Sequence, residues 1–159
     1  MKGSVGVKMM ISVIVAAILI IVVVLALAKN NTVPPNLGVK EGTLAPLPDS
    51  PNAVSSQTDQ ADKRVAPFPY SETIEQTKSL VKKATAEFGG AQILAEKPDY
   101  LHLVFTVPYI PFKDDVEFFF SEQERVVHYR SASRVGYSDL GVNRKRYERL
   151  RNLYEQAAK

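Results

Sequence analysis

Twenty consecutive residues, Met9 to Ala28, read MMISVIVAAILIIVVVLALA and decide where the rest of the chain can go. The run carries no charge, and Ser12 is its only polar residue. A helix needs about 20 apolar residues to cross the hydrocarbon core of a bilayer. A buried core helix is disfavoured, because the run is apolar all round and has no polar face. Lys2 and Lys8 precede it and Lys29 alone follows closely. The positive-inside bias then predicts a single-pass protein of the inner (cytoplasmic) membrane. Residues 1–8 are cytoplasmic in this reading, residues 9–28 span as a transmembrane helix, and the remainder is periplasmic or otherwise extracytoplasmic. The rival is a signal peptide cleaved after Ala28, since Ala26-Leu27-Ala28 has the small-x-small form of a cleavage site. The run exceeds the usual apolar region of about 7–15 residues, which favours a retained signal-anchor.

The formal charge is +3, but Lys2, Lys8 and Lys29 account for all of it, leaving 17 basic and 17 acidic residues from Asn30 onward. Nucleic-acid binding needs a net-basic domain, and this one is balanced, so no nucleic-acid partner is expected. Without any Cys, disulfides, thiolate metal sites and Cys nucleophiles are excluded. His102 and His128 are unlinked in sequence, a weak basis for a metal site, and neither a metal nor a cofactor is expected.

Between Lys29 and Pro69 lie seven of the ten prolines and no sustained period. Such a stretch predicts an extended tether over residues 29–69, with an ordered lead-in from about residue 47. A globular domain over residues 70–159 follows. Ser71 is a candidate N-cap, with Ile74, Leu80, Val81, Ala84 and Phe88 on one helical face and Gly89-Gly90 as the stop. Ala91 to Lys97 suits a strand, and Tyr100 to Val107 alternates with period two. Pro108 to Lys113 reads as a loop. Asp114–Phe120 and Arg125–Ser131 suit a hairpin around Ser121–Glu124. That register sets Glu117 opposite His128, Asp115 opposite Arg130, Val116 opposite Tyr129 and Phe118 opposite Val127, giving one apolar and one charged face. The last helix starts at Asn143 as N-cap, with Tyr147, Leu150, Tyr154 and Ala157 on its apolar face. The expected fold class is α+β: a small antiparallel meander of about four strands with two helices packed on one face.

Four segments in order, LPDSPNAVSS (47–56), RVAPF (64–68), DDVEF (114–118) and RSASRVGYSDLGVNRKR (130–146), resemble the uncharacterised domain-of-unknown-function family 1499. The resemblance covers about residue 44 to the end. It implies no activity, and it agrees with a membrane-anchored or exported protein. Family members commonly carry Cys where this chain has Ala53, so the resemblance implies no thiol role here.

Arg130 to Arg146 is the densest polar stretch. Gly136 to Gly141 followed by a helix start suits an anion seat, with Arg134, Arg144 and Arg146 adding charge. It is no Walker A loop, because Val142-Asn143 follows Gly141. The structural alternative pairs the arginines with Asp114, Asp115 and Glu117, since residues 113–124 sum to −4 and residues 125–151 to +6. Candidate ligand-binding or interaction residues are Arg130, Ser133, Arg134, Tyr137, Ser138, Asp139, Asn143, Arg144 and Arg146. The candidate structural charge partners are Asp114, Asp115, Glu117 and His128. A hydrolase would need a nucleophile among Ser55, Ser56, Ser131, Ser133 and Ser138, with His102 or His128 as base and Asp139 as orienter. No nucleophile-elbow pattern surrounds these serines, so no catalytic residue is assigned. The leading expectation is a non-enzymatic, membrane-tethered interaction module, such as an accessory subunit of a membrane or envelope complex, with a protein partner there. The alternative is a small-ligand or anion-binding domain, hydrolytic at most, centred on Arg134, Asp139 and Arg144.

Overall fold

Lys2–Asn31 forms one uninterrupted helix, α1, in the computed structural model, which describes residues 2–106 and 112–159. Thirty residues give a helix of roughly 45 Å. Its apolar residues, Ile14, Leu19 and Val23 among them, point outward on all sides. One N-terminal helix is therefore long and apolar enough to span a membrane.

The second compact unit runs from Pro34 to Lys159. An antiparallel sheet forms its centre, with strands β3 (Ala53–Ser55), β4 (Phe68–Pro69), β5 (Ala91–Lys97), β6 (Tyr100–Thr106), β7 (Lys113–Ser121) and β8 (Val126–Ser133). The spatial order is β3-β8-β7-β6-β5, with β4 also paired to β8. The four long strands make the expected meander, and β3 and β4 add two short pieces along its β8 edge. At the other edge β5 is interrupted by a bulge between Ile93 and Ala95, a device that discourages edge-to-edge pairing. A separate two-stranded ribbon joins β1 (Val39–Lys40) to β2 (Thr43–Leu44).

Strand alternation sorts the side chains. Leu101, Leu103, Phe105, Val116, Phe118, Phe120, Val127 and Tyr129 share the main core with α2 (Ile74–Phe88) and α3 (Val142–Ala157). Val81 and Ala84 of α2 and Tyr147, Leu150 and Tyr154 of α3 close that layer. The N-cap of α2 is Thr73, whose Oγ1 accepts a hydrogen bond from Gln76 N at 3.2 Å, and not Ser71. Ser71 instead receives Arg125: its carbonyl accepts from Nη2 at 2.7 Å.

The hairpin register differs from the expected one by two. Glu117 pairs with Arg130, Phe118 with Tyr129, Phe119 with His128, and Ser121 still pairs with Val126. Arg125 takes φ +56° and so belongs to the turn, which becomes residues 122–125. A two-residue slip preserves which side chains share a face, whereas a one-residue slip would have inverted them. Val107 and residues 108–111 of the loop expected over 108–113 lie outside the described residues, and Lys113 opens β7 instead of ending that loop.

The expected tether is the larger difference. Residues 34–69 belong to the fold, and both faces of the central strands are covered. Leu44 packs with Tyr100 and Phe119 on the face away from the helices. Val54, Val65 and Phe68 enter the main core. Phe68 meets Phe118, Tyr129, Tyr147 and Tyr154 with ring centroids 5.5–5.6 Å apart. Strands of two or three residues are too short to display alternation, and prolines are tolerated beside them. Phe68→Ala is expected to cost about 3–5 kcal/mol, and Ile93→Ala, on the exposed edge, less than about 1 kcal/mol. Urea denaturation of the full chain checks this; equal small losses would restore the tether reading.

Candidate functional site

β7 carries three carboxylates, and each is met by an arginine from the 130–146 stretch. Asp114 faces the helices, while Asp115 and Glu117 face the other way. All three are buried, Glu117 completely. Arg146 Nη2 donates to Asp114 Oδ2. Arg134 forks onto Asp115, Nε to Oδ2 at 2.8 Å and Nη2 to Oδ1 at 2.7 Å. His102 Nε2 lies 2.8 Å from the same Oδ1. Arg130 Nη1 donates to Glu117 Oε2 at 3.0 Å, and its Nε donates to Ala45 O at 2.9 Å. Glu117 Oε1 also accepts from Gly38 N at 2.8 Å and Tyr100 Oη at 2.7 Å. The lead-in therefore closes over this carboxylate. Burial, with Glu117 beside it, pushes the Tyr100 phenol above its ordinary range. Burial pushes the Asp115 carboxyl up, but hydrogen bonds from Arg134 and His102 more than offset it and hold the group below its ordinary range.

The joint between β8 and α3 is equally tied. Asp139 accepts from Gly141 N at 3.0 Å and from Asn143 N at 2.7 Å, so Asp139 supplies the cap. The N-cap position itself is Gly141, at φ +78°, and not Asn143. Asn143, the second residue of α3, is fully buried, accepting from Ser131 Oγ and donating to Asn52 O and Ser133 Oγ. Asn52 Nδ2 in turn donates to Gly136 O at 2.7 Å. The 50–52 segment thus acts as a brace beneath the loop. Ala53, the next residue, is buried opposite Ala132. Arg144 reaches the Asp62 and Arg64 carbonyls. Ser138 Oγ accepts from Leu140 N.

Of the candidates, Arg130, Arg134, Arg146, Asn143 and Ser133 are buried or nearly so in these internal bonds. Tyr137 projects outward, 77% exposed, beside Leu140 at 85%. Leu140 holds φ +53°, a left-handed conformation uncommon for a branched side chain. A cavity of about 170 Å³ lies beneath the loop, lined by Phe112, Val135, Leu140 and Val142 among others.

His128 sits opposite Phe119 and stacks on its ring, 5.8 Å between centroids. Its Nε2 lies 3.1 Å from Glu124 Oε2 and its Nδ1 3.3 Å from Ser56 Oγ. The order Ser56–His128–Glu124 has triad residue types. However, Ser56 Oγ also accepts Tyr129 N–H at 2.9 Å, and the Glu124 side chain is 57% exposed, so water weakens it as an orienter.

A second concavity, about 580 Å³, opens between the end of α2, the end of β6 and the start of α3. Phe88, Gly89, Gly90, Phe105, Lys145 and Arg149 line it. Of these, the sequence points to Phe88 as part of an apolar helical face and to Gly89-Gly90 as its stop. Val142, Lys145, Arg146 and Arg149 recur at helical spacing, which puts them on one side of α3.

A family model described as "Protein of unknown function (DUF1499)" matches residues 43–153. No match is found among curated proteins or among solved structures.

Because Asp115 loses its proton at lower pH in the folded chain than in the unfolded one, its pairing contributes stability above about pH 4 that fades as pH falls through the folded value. Asp115→Asn takes the carboxylate away from the buried Arg134 and is expected to cost about 3–5 kcal/mol at pH 7. Urea melts at pH 7 and pH 3 should show that deficit shrinking in acid; a deficit independent of pH contradicts the assignment.

Proposed function

The chain belongs to the DUF1499 family, and from its geometry we propose a membrane-tethered interaction module that docks a protein partner through the 135–142 loop. The observation that carries this reading is a braced loop with apolar side chains turned outward. Among the described residues, Tyr137 and Leu140 are the two most exposed large apolar side chains. Their backbone is held from below by Asn52, Asp139 and the buried Asn143. A loop already fixed in shape loses little conformational entropy on binding, and Tyr is enriched at the centres of protein interfaces. The left-handed backbone at Leu140 has a local cost of order 1–3 kcal/mol, consistent with selection for display of that side chain.

The charge asymmetry around α1 supports an N-terminus in the cytoplasm and the globular unit outside, periplasmic in a Gram-negative cell. An accessory subunit of a membrane or envelope complex fits that placement, since an anchored domain meets anchored partners at high effective concentration. An anion seat or hydrolase built on Arg134, Asp139 and Arg144 is disfavoured. Arg134 is forked onto Asp115, Asp139 caps α3, and Arg144 holds backbone carbonyls.

Photo-crosslinkers placed at Tyr137 and Leu140 in native membranes are expected to trap one discrete protein adduct, absent with the probe at Lys83 on the exposed side of α2. Identical adduct patterns from all three positions contradict the loop as an interface. A reporter active only outside the cytoplasm, fused after Lys159, should be active; an inactive fusion overturns the orientation.

A further inference from the structure

The groove between α2, β6 and α3 lies apart from the 135–142 loop tip and has a different chemistry. Its floor is aromatic: Phe88 and Phe105 meet edge to face, 5.3 Å between centroids. Guanidinium groups lie over both rings, Arg146 over Phe105 at 4.8 Å and Arg149 over Phe88 at 5.1 Å. Its wall is one face of α3, where Val142, Lys145, Arg146 and Arg149 fall on neighbouring turns. No acidic residue lines the groove, and α3 has none in its first turn. Among the described residues, the side chains of Lys145 and Arg149 have no carboxylate or carbonyl partner. Arg146, 4% exposed, binds Asp114 through Nη2, yet its Nε N–H has no acceptor.

This arrangement contrasts with the paired arginines of the unit: Arg130, Arg134 and Arg146 meet carboxylates, while Arg125 and Arg144 meet backbone carbonyls. Lys145 and Arg149, two cations without acidic partners on one face of α3, make a positive well, and the half-buried Phe88 ring, seated on the buried Phe105, offers apolar area. A volume of about 580 Å³ falls within the usual range for small-molecule sites, roughly 300–1,000 Å³.

We propose that this groove binds a small anion with an apolar body, a carboxylate or phosphate head against Lys145 and Arg149 and a ring or hydrocarbon against Phe88 and Phe105. Such a molecule could arrive free in solution or as the head of an anionic lipid. Gly89 and Gly90 form the lip where the body enters, both at positive φ with open space at the missing Cβ.

The test uses the full chain in phosphatidylcholine nanodiscs, read by the amide resonances of Gly89, Gly90, Lys145 and Arg149. Phenyl phosphate is expected to give saturable shifts, with inorganic phosphate and phenol each at least roughly tenfold weaker. The Lys145→Gln/Arg149→Gln double variant, changed only at exposed positions, should keep the wild-type Tm and weaken phenyl phosphate by at least about tenfold. Replacing about a third of the lipid with phosphatidylglycerol separates the sources: displacement of phenyl phosphate identifies a lipid head, and undiminished binding identifies a soluble ligand. Absence of saturable shifts with phenyl phosphate and with phosphatidylglycerol overturns the proposal. So does phenol binding as tightly as phenyl phosphate on the wild-type chain, a comparison that needs no variant to fold.

Discussion

Three buried carboxylates on one strand dominate the energetics of this domain. Asp114, Asp115 and Glu117 sit in β7, at the middle of the sheet, with no access to water. An isolated buried carboxylate is strongly unfavourable, and removing the partner of a buried ion pair typically costs about 3–5 kcal/mol. Each must therefore be met by a cation and by further donors. The cations come from Arg130, Arg134 and Arg146, within β8, just beyond its end, and on α3. Alternation along β7 sends Asp114 toward the helices and its neighbours toward the lead-in. The three pairs consequently tie both layers to the same strand. Such pairs are weak as net stabilisers but demanding in geometry, and they disfavour packings that leave any one of them unmatched.

That demand explains why residues 34–50 are ordered. Glu117 has more lone pairs than Arg130 can fill, and Gly38 N and Tyr100 Oη take the remainder. Arg130 has more donors than Glu117 can accept, and the Ala45 and Pro46 carbonyls take those. The lead-in completes the hydrogen bonding on both sides of the pair, and Leu44 adds apolar cover over Tyr100 and Phe119. Asn52 and Asn143 do similar work at the β8–α3 joint, where an amide serves in place of a charge.

Much of this was legible in the residues. The period of β6 and of the β7–β8 hairpin, the apolar faces of α2 and α3, and the opposed charges of 113–124 and 125–151 all point to the α+β meander and to internal pairing. The register shift came from one residue: Arg125 looked like strand, and only its left-handed backbone, anchored over Tyr70 and at Ser71 O, assigns it to the turn. An ordered lead-in was expected only from about residue 47; the ordering of residues 34–46 was not legible, because it arises from long-range bonds to Glu117 and Arg130 and not from any local period. The basic face of α3 was visible as spacing, but its lack of acidic partners is a property of the tertiary structure.

The side chains of 130–149 thus divide into two sets. Arg130, Arg134 and Arg146 are bound within the domain, while Tyr137, Leu140, Lys145 and Arg149 face outward. The most direct measurement of that division is NMR of the arginine guanidinium groups in the full chain. Three sets of Nη protons, assigned to Arg130, Arg134 and Arg146, should exchange slowly and show hindered rotation about Nε–Cζ, while Arg149 exchanges fast and averages. Fast, averaged signals from all four would contradict the account.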